Sequence, residues 1–317
     1  MKRIMTLVLA LALMLSALVL VSCGSKAEYK VGICQLVKHD ALDAATQGFI
    51  DALTKEFGDS VTIDKQDAAG DSGMCTTIVN TFVSKNYDLI MANATPALQA
   101  AYSATSTIPV LGTSITEYGY ALGIENFNGT VGTNVSGTSD LAPLEDQAAM
   151  ILEICPTVKK VGLLYCSGEP NSVYQVKVVE EYLTGKGITC TKYTFSDTND
   201  VAAVTTTAAA NSDAIYIPTD NTAATSADII GNIVLEAKIP VFAGEVGICN
   251  KCGLASLTIS YYDLGYKTGE MAAKILKGES KVENMPIEYA PAKKVYNKRI
   301  ADELGITIPA GYEEIKG

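Results

Sequence analysis

Three short segments occur twice in this chain, in the same order and at nearly the same spacing. Lys30-Val31-Gly32-Ile33 returns as Lys160-Val161-Gly162-Leu163, Asp88-Leu89-Ile90-Met91 as Asp213-Ala214-Ile215-Tyr216, and Ile108-Pro109-Val110 as Ile239-Pro240-Val241. The offsets are 130, 125 and 131 residues. Each match alone is weak, but the shared order and offset restrict the fold to two lobes of one plan. A length of 317 residues accommodates two such lobes, and 48% hydrophobic residues against 19% charged can fill both cores.

Each repeated segment reads as a short buried strand. Residues 30–36, 61–67, 88–93 and 109–113 are β-rich or apolar and end near polar or small residues. Helical spacing lies between them. Asp40 is placed to cap a helix over 40–56 that carries Leu42, Ala45, Phe49, Ile50 and Leu53. Ile78, Val79, Phe82 and Val83 mark another over 73–86. The second copy predicts strands 160–166, 188–194, 213–217 and 240–244, with helices 171–185, 198–210 and 223–237. A further strand (255–259), a helix (261–277) and a tail with a short strand and a small helix (297–304) follow. The fold class is α/β, two doubly wound lobes with parallel sheets.

In such sheets ligands bind beyond the carboxyl ends of the strands, so two facing lobes would share one cleft. The repeat aligns the positions. Gln35 and Tyr165 follow the first strands, Thr95 and Asp220 the third, Ser114 and Glu245 the fourth. Small polar groups from one lobe thus oppose carboxylates from the other, a split suited to a solute with both a carboxylate and an ammonium. Free N–H groups at helix starts after Thr95 and near Asn171-Ser172 suit the carboxylate. Asp220 or Glu245 suits the ammonium. Read blandly, Thr95-Pro96 is an N-cap with Pro at N1 and Asp220-Asn221-Thr222 a turn or cap. Tyr165, Tyr102 and Tyr216 are candidate stacking faces, and His39, at a helix start beside the expected cleft mouth, reads as a solvated residue ahead of a ligand contact.

The N-terminus is an address. Lys2 and Arg3 precede an apolar run over residues 4–21, long enough to insert in a bilayer. It ends in Leu20-Val21-Ser22-Cys23, which resembles the bacterial lipobox, in which the cysteine takes a diacylglycerol and the peptide is cut before it. The expectation is a signal peptide over 1–22, a lipidated tether over 23–28, and an extracytoplasmic chain held at the membrane by Cys23. Cleavage removes Lys2 and Arg3 and no acid, so the net charge of −11 becomes −13. That balance argues against nucleic acid as a partner.

Beyond the leader the chain resembles the extracytoplasmic solute-binding proteins of ABC importers, especially the group that binds tryptophan and other aromatic amino acids. The matching segments are Gly48-Phe49-Ile50-Asp51, Ala94-Thr95-Pro96-Ala97, Gly137-Thr138-Ser139-Asp140-Leu141, Asn171-Ser172-Val173, Pro218-Thr219-Asp220-Asn221-Thr222 and Thr268 to Leu276. The resemblance implies a two-lobed Venus-flytrap fold of the type I periplasmic-binding-protein kind, with crossovers near residues 138, 260 and 291. It implies lobes over 29–137 plus 260–290 and over 138–259 plus 291–317. It implies Gln35, Thr95, Asn171, Ser172, Asp220 and Asn221 as ligand contacts, and a monomer that delivers its solute to a permease driven by a cytoplasmic ATPase. The chain departs from the group at Ser114-Ile115-Thr116-Glu117 and at Gly247-Ile248-Cys249-Asn250-Lys251-Cys252.

One histidine leaves little room for zinc sites or His-based nucleophilic catalysis. Walker, GxGxxG, GxSxG and HExxH motifs are missing from the sequence. Neither a cofactor nor a metal is expected. Cys249-x-x-Cys252 reads as a loop pair, either a turn disulfide or two thiols. Cys34, Cys155, Cys166 and Cys190 read as small buried hydrophobes. Two other readings stay open: a receptor that signals a solute to a membrane sensor, and an envelope enzyme using Asp220 and Glu245.

Overall fold

The repeat folds as two separate sheets. The computed structural model describes residues 29–315; the leader, Cys23 and the tether lie outside the described residues. The first lobe alternates β1 (Tyr29–Gln35), α1 (Asp40–Phe57), β2 (Val61–Asp67), α2 (Ser72–Ser84), β3 (Leu89–Asn93), α3 (Thr95–Ala104) and β4 (Val110–Ile115). A short α4 (Tyr118–Leu122) and β5 (Val135–Ser139) complete this stretch. The second lobe opens with α5 (Leu144–Ile154), β6 (Lys160–Cys166), α6 (Pro170–Gly185), β7 (Thr189–Phe195), α7 (Val201–Asn211) and β8 (Ala214–Ile217). It continues with α8 (Asn221–Thr225), α9 (Ala227–Glu236), β9 (Val241–Ala243), α10 (Val246–Lys251) and β10 (Ala255–Thr258).

The chain then returns to the first lobe as α11 (Tyr261–Leu276) and β11 (Glu288–Tyr289). It crosses back as β12 (Lys293–Tyr296), α12 (Lys298–Leu304) and β13 (Glu313–Glu314). The first sheet has the order β11-β5-β4-β3-β1-β2, the second β13-β12-β10-β9-β8-β6-β7. All pairings are parallel except β10 with β12.

Both faces of each sheet are covered, which is why the central strands read as continuous apolar runs rather than alternating ones. In the first sheet Val31, Ile33, Leu89 and Met91 pack on one face against Phe49, Leu53 and Met271. Cys34, Ile90 and Ala92 pack on the other, with Val79 and Phe82. Each strand therefore supplies two cores from alternate residues.

Several boundaries differ from expectation. The helix expected over 223–237 is two, because Ser226 takes φ −106°, ψ 8° between them. The helix expected from 198 begins at Val201, since Asp197 accepts the Asn199 N–H in a local turn. Asp40 is the first helical residue and His39 the cap. Thr95 likewise is not a cap: Ala94 precedes it at φ 87°. Residues 246–251, expected as a loop, are helix α10, because the Glu245 carboxylate receives the Gly247 and Ile248 N–H groups and nucleates a turn. Cys249 and Cys252 are buried free thiols at its end. Cys34 and Cys166 are buried, whereas Cys155 and Cys190 are only half-buried.

Candidate functional site

The carboxyl ends of the two sheets face each other, and a narrow cavity of about 20 Å³ lies between them. Its walls come from both lobes and from two of the crossings between them. His39 and Leu42 come from the start of α1, Ser114 and Thr116 from the end of β4, and Asp140 from the crossover after β5. Asn171 lies at the start of α6, Thr219 to Asn221 before and into α8, Glu245 after β9, and Tyr261 at the start of α11. A second, larger cavity opens outward and shares Asn221. The first lobe contributes Leu36, Val37 and Pro96 to it, the second Cys166, Gly168 and Glu169.

The backbone is strained where it meets this cleft. Ser114 sits at φ 57° and Ala94 at φ 87°, a region that side-chain-bearing residues avoid. Such strain persists only where the surroundings over-determine it, and it clusters at ligand clamps. At Ser114 the β4–β5 register also slips, between Gly112 and Ile115.

The buried carboxylates differ in what they hold. Asp220 accepts the Cys166 N–H and the Ser172 hydroxyl on one oxygen, both at 2.7 Å, and the Ala223 N–H on the other at 2.8 Å. Burial, then the nearby Glu169 carboxylate, push Asp220 up to about 8 against those hydrogen bonds. Glu169 receives Asn221 through its N–H and Nδ2 (2.9 and 2.7 Å) and Thr222 through its N–H and hydroxyl (2.9 and 2.8 Å). Glu245 holds the two N–H groups of α10; burial pushes it up and His39 pulls it back. Asp140 is different. Its Oδ2 accepts the Tyr261 hydroxyl at 2.8 Å, while its Oδ1 is buried without a partner. Burial raises Asp140, and the Tyr261 hydrogen bond opposes the rise.

Two more buried atoms on the same cavity wall lack partners, Ser114 Oγ and Asn171 Oδ1. A buried polar atom without a partner is costly, and three of those among the described residues lie around this one cavity.

Of the residues expected from the repeat, Ser114, Asp220 and Glu245 line this cavity, and of those the resemblance implied, Asn171 and Asn221 line it too. Ser172 stands behind Asp220. Gln35 lines neither cavity. Its amide donates to Val37 O and Asp43 Oδ1 and its oxygen accepts from Thr46, so it braces the turn into α1. Thr95 is buried as the first residue of α3, and its neighbour Pro96 reaches the outer cavity. Tyr165 packs in the core of the second lobe. Tyr216 is buried with its hydroxyl donating to Gln147, and Tyr102 lies on the surface of α3. His39 is not a solvated end. It lines the cavity, with Nε2 3.1 Å from Asn221 Oδ1 on the other lobe. Asp140, Glu169 and Gln175 were not singled out from the sequence as site residues. Gln175 donates to Thr116 at 3.2 Å across the lobes and accepts the Thr219 N–H at 3.1 Å.

These contacts, with the Tyr120 and Tyr174 rings 5.5 Å apart across the same divide, close the lobes on each other. Two doubly wound lobes joined by three crossovers and closed over a small polar cavity define a two-lobed solute-binding protein. The chain belongs to the ABC transporter substrate binding protein family, whose model matches residues 30–313. Solute-binding proteins of ABC importers work outside the cytoplasm.

A tyrosine-binding protein of Clostridioides difficile is 36% identical over 269 residues, covering 83% of this chain and 76% of that one. An ABC domain from Streptococcus pneumoniae in complex with L-Trp is 35% identical, with a TM-score of 0.86 over 91% of this chain and 100% of that one. A ligand-free, open substrate-binding protein from Clostridium difficile is 38% identical over 91% and 99% of the two chains, yet its TM-score is 0.69. Similar identity with so different a fit matches the closed placement of the lobes. The fold is the type I periplasmic-binding-protein fold.

Asp220 carries a stability prediction. Asp220→Ala leaves three donors without an acceptor and removes the cap of α8, so unfolding is expected to become easier by about 2–4 kcal/mol. An unfolded Asp ionises near pH 4, and folded Asp220 near 8. Between those values the folded state holds the extra proton, so this group's contribution falls as pH rises. Urea midpoints of both proteins across that window test this: the wild-type decline should flatten in the variant.

Proposed function

We propose that this chain is the lipid-anchored solute-binding component of an ABC importer and that it captures an aromatic amino acid. The observation that carries the reading is the set of three unpartnered atoms on one cavity wall, Asp140 Oδ1, Asn171 Oδ1 and Ser114 Oγ. Two acceptors, one of them a carboxylate, suit an α-ammonium. The Ser114 hydroxyl can donate to a carboxylate. So can the N–H groups at the starts of α1 and α6, neither of which has a side-chain cap. Asp220 and Glu245 hold their own loops, so Asp140 takes the ammonium in this reading. Leu36, Val37 and Pro96 in the adjoining cavity offer apolar surface to a side chain.

The aromatic class is supported by the relatives named for tyrosine and crystallised with L-Trp. Binding is stoichiometric, without turnover. Closure selects the ligand-bound arrangement by population shift. Cys23 carries the lipid, and the closed monomer presents its solute to a permease coupled to a cytoplasmic ATPase.

Titration calorimetry against tyrosine, tryptophan, phenylalanine, aliphatic and charged amino acids, sugars and nucleosides tests the reading. The expected result is one site per chain, tightest for an aromatic amino acid, with the ligand recovered unchanged. Heat from a sugar or nucleoside and from no amino acid would overturn it.

A further inference from the structure

Behind the wall of the outer cavity lie two cysteines that the binding site does not use. Cys34 is on β1 and Cys75 in the first turn of α2; both are fully buried. The Cys34 thiol donates to the Cys75 carbonyl oxygen, 3.9 Å from Sγ, so the two side chains are neighbours across the β1–α2 contact. Residues 69–74 above them are exposed, with Ala69 at φ 53° and Gly70 at φ 85°. That loop is tied to β1 by two backbone bonds, Ala68 N–H to Gln35 O (2.9 Å) and Gly70 N–H to Leu36 O (2.8 Å). Its Ala69, Gly70 and Ser72 form part of the cavity wall.

We propose that Cys34 and Cys75 are a disulfide site, oxidised outside the cytoplasm by a disulfide reagent or a thiol–disulfide oxidoreductase. The proton stays on Cys34, whose thiol is pushed up by its neighbour Cys75 and by burial. The Cys34 neighbour in turn lowers Cys75. Cys75 is therefore the attacking sulfur. Fraying of the exposed first turn of α2 admits the oxidant. The Cys75 thiolate attacks one sulfur of R–S–S–R and R–S⁻ leaves. Cys34 then loses its proton and attacks the Cys75 sulfur of the mixed disulfide, expelling the second R–S⁻. Two protein thiols become one disulfide and the oxidant becomes two thiols. Extracytoplasmic compartments sustain such bonds. The bond pins the cavity wall to β1 and closes a loop that contains all of α1.

The test uses the purified protein equilibrated with glutathione disulfide or with dithiothreitol, quenched in acid, unfolded, alkylated and mapped by peptide mass. The expected result is loss of two alkylatable thiols, a Cys34–Cys75 cross-linked peptide reversed by dithiothreitol, and a Tm several degrees higher when oxidised. Cys34→Ala and Cys75→Ser should each remove the oxidant's effect on Tm. Full alkylation after oxidant overturns the proposal. So does a cross-link confined to Cys249–Cys252, or one formed only when the oxidant is added to unfolded chain. Because the peptide map is read on the wild-type protein, a variant that fails to fold does not blunt the test.

Discussion

Asp140→Asn is expected to lose amino-acid binding by about 30- to 5,000-fold, the range that follows from removing one partner of a buried charge pair. The substitution keeps size and the acceptor for Tyr261 but removes the negative charge facing the cavity. It also places an amide next to the ligand ammonium, donor against donor. The wild-type pH dependence follows from the same carboxyl. Burial raises Asp140 from its ordinary value. The ligand's ammonium binds the ionised form, so protons and ligand compete. Affinity should therefore weaken on acidification from a higher pH than a solvated Asp would give, approaching tenfold per pH unit below the free-state value. Tyr261→Phe removes a hydrogen bond that favours the ionised form, and should move that onset to still higher pH. In Asp140→Asn the acid limb should disappear. Calorimetry of the best ligand across acidic to neutral pH reads all three proteins. Wild-type affinity in Asp140→Asn at neutral pH would remove this residue from the site.

Asp140 was the hardest site residue to see in the sequence, and the reason is topological. The repeat aligns strand ends of one lobe with strand ends of the other, so it marks positions such as Ser114, Asp220 and Glu245. A crossover residue has no counterpart in the second copy and receives no mark. Strand-end position also leaves side-chain direction open. Gln35 ends β1 where a ligand contact is expected, but its carboxamide is fully buried against α1 and is satisfied there by Asp43, Thr46 and Val37. Tyr165, one residue before the end of β6, turns into the core. The fold was legible because parallel strands covered on both faces leave unbroken apolar runs. The misread boundaries at Ser226, Asp197 and Glu245 all depend on one polar side chain or one backbone angle, which periodicity does not register. Glu169 was legible only as a residue before a helix. Its role emerges when α8 brings the N–H groups of Asn221 and Thr222 onto it.

Gly265→Ala is expected to destabilise the protein severely, by roughly 3 kcal/mol or more, at or above the upper end of ordinary overpacking. A Cβ on Gly265 would lie 1.8 Å from Ala45 O and 2.5 Å from Ala45 C. Those are backbone atoms of α1, so no rotamer change relieves the clash. The notch is reciprocal: a Cβ on Gly48 would meet Tyr262 O at 2.1 Å, and one on Gly269 would meet Ala52 Cβ at 2.5 Å and Phe49 O at 2.8 Å. The only relief is for α1 and α11 to separate, which unpacks Met271 and Ala272 from Phe49 and Leu53 on the first sheet. Two functional links run through the same contact. α11 is the segment that brings the chain back from the second lobe, and its first residue, Tyr261, holds Asp140. The start of α1 carries His39 and Leu42 to the cavity. Separation therefore moves both ends of the site as well as lowering stability. Gly185 is the control, because a Cβ there meets nothing within 4 Å. Gly185→Ala in helix α6 should be neutral or stabilising by about 0.5–1 kcal/mol. Urea unfolding of the two variants beside the wild type measures the contrast. If Gly265→Ala unfolds within about 0.5 kcal/mol of the wild type, the ordinary spread of surface substitutions, the close contact of α1 with α11 does not hold the first lobe to the returning chain.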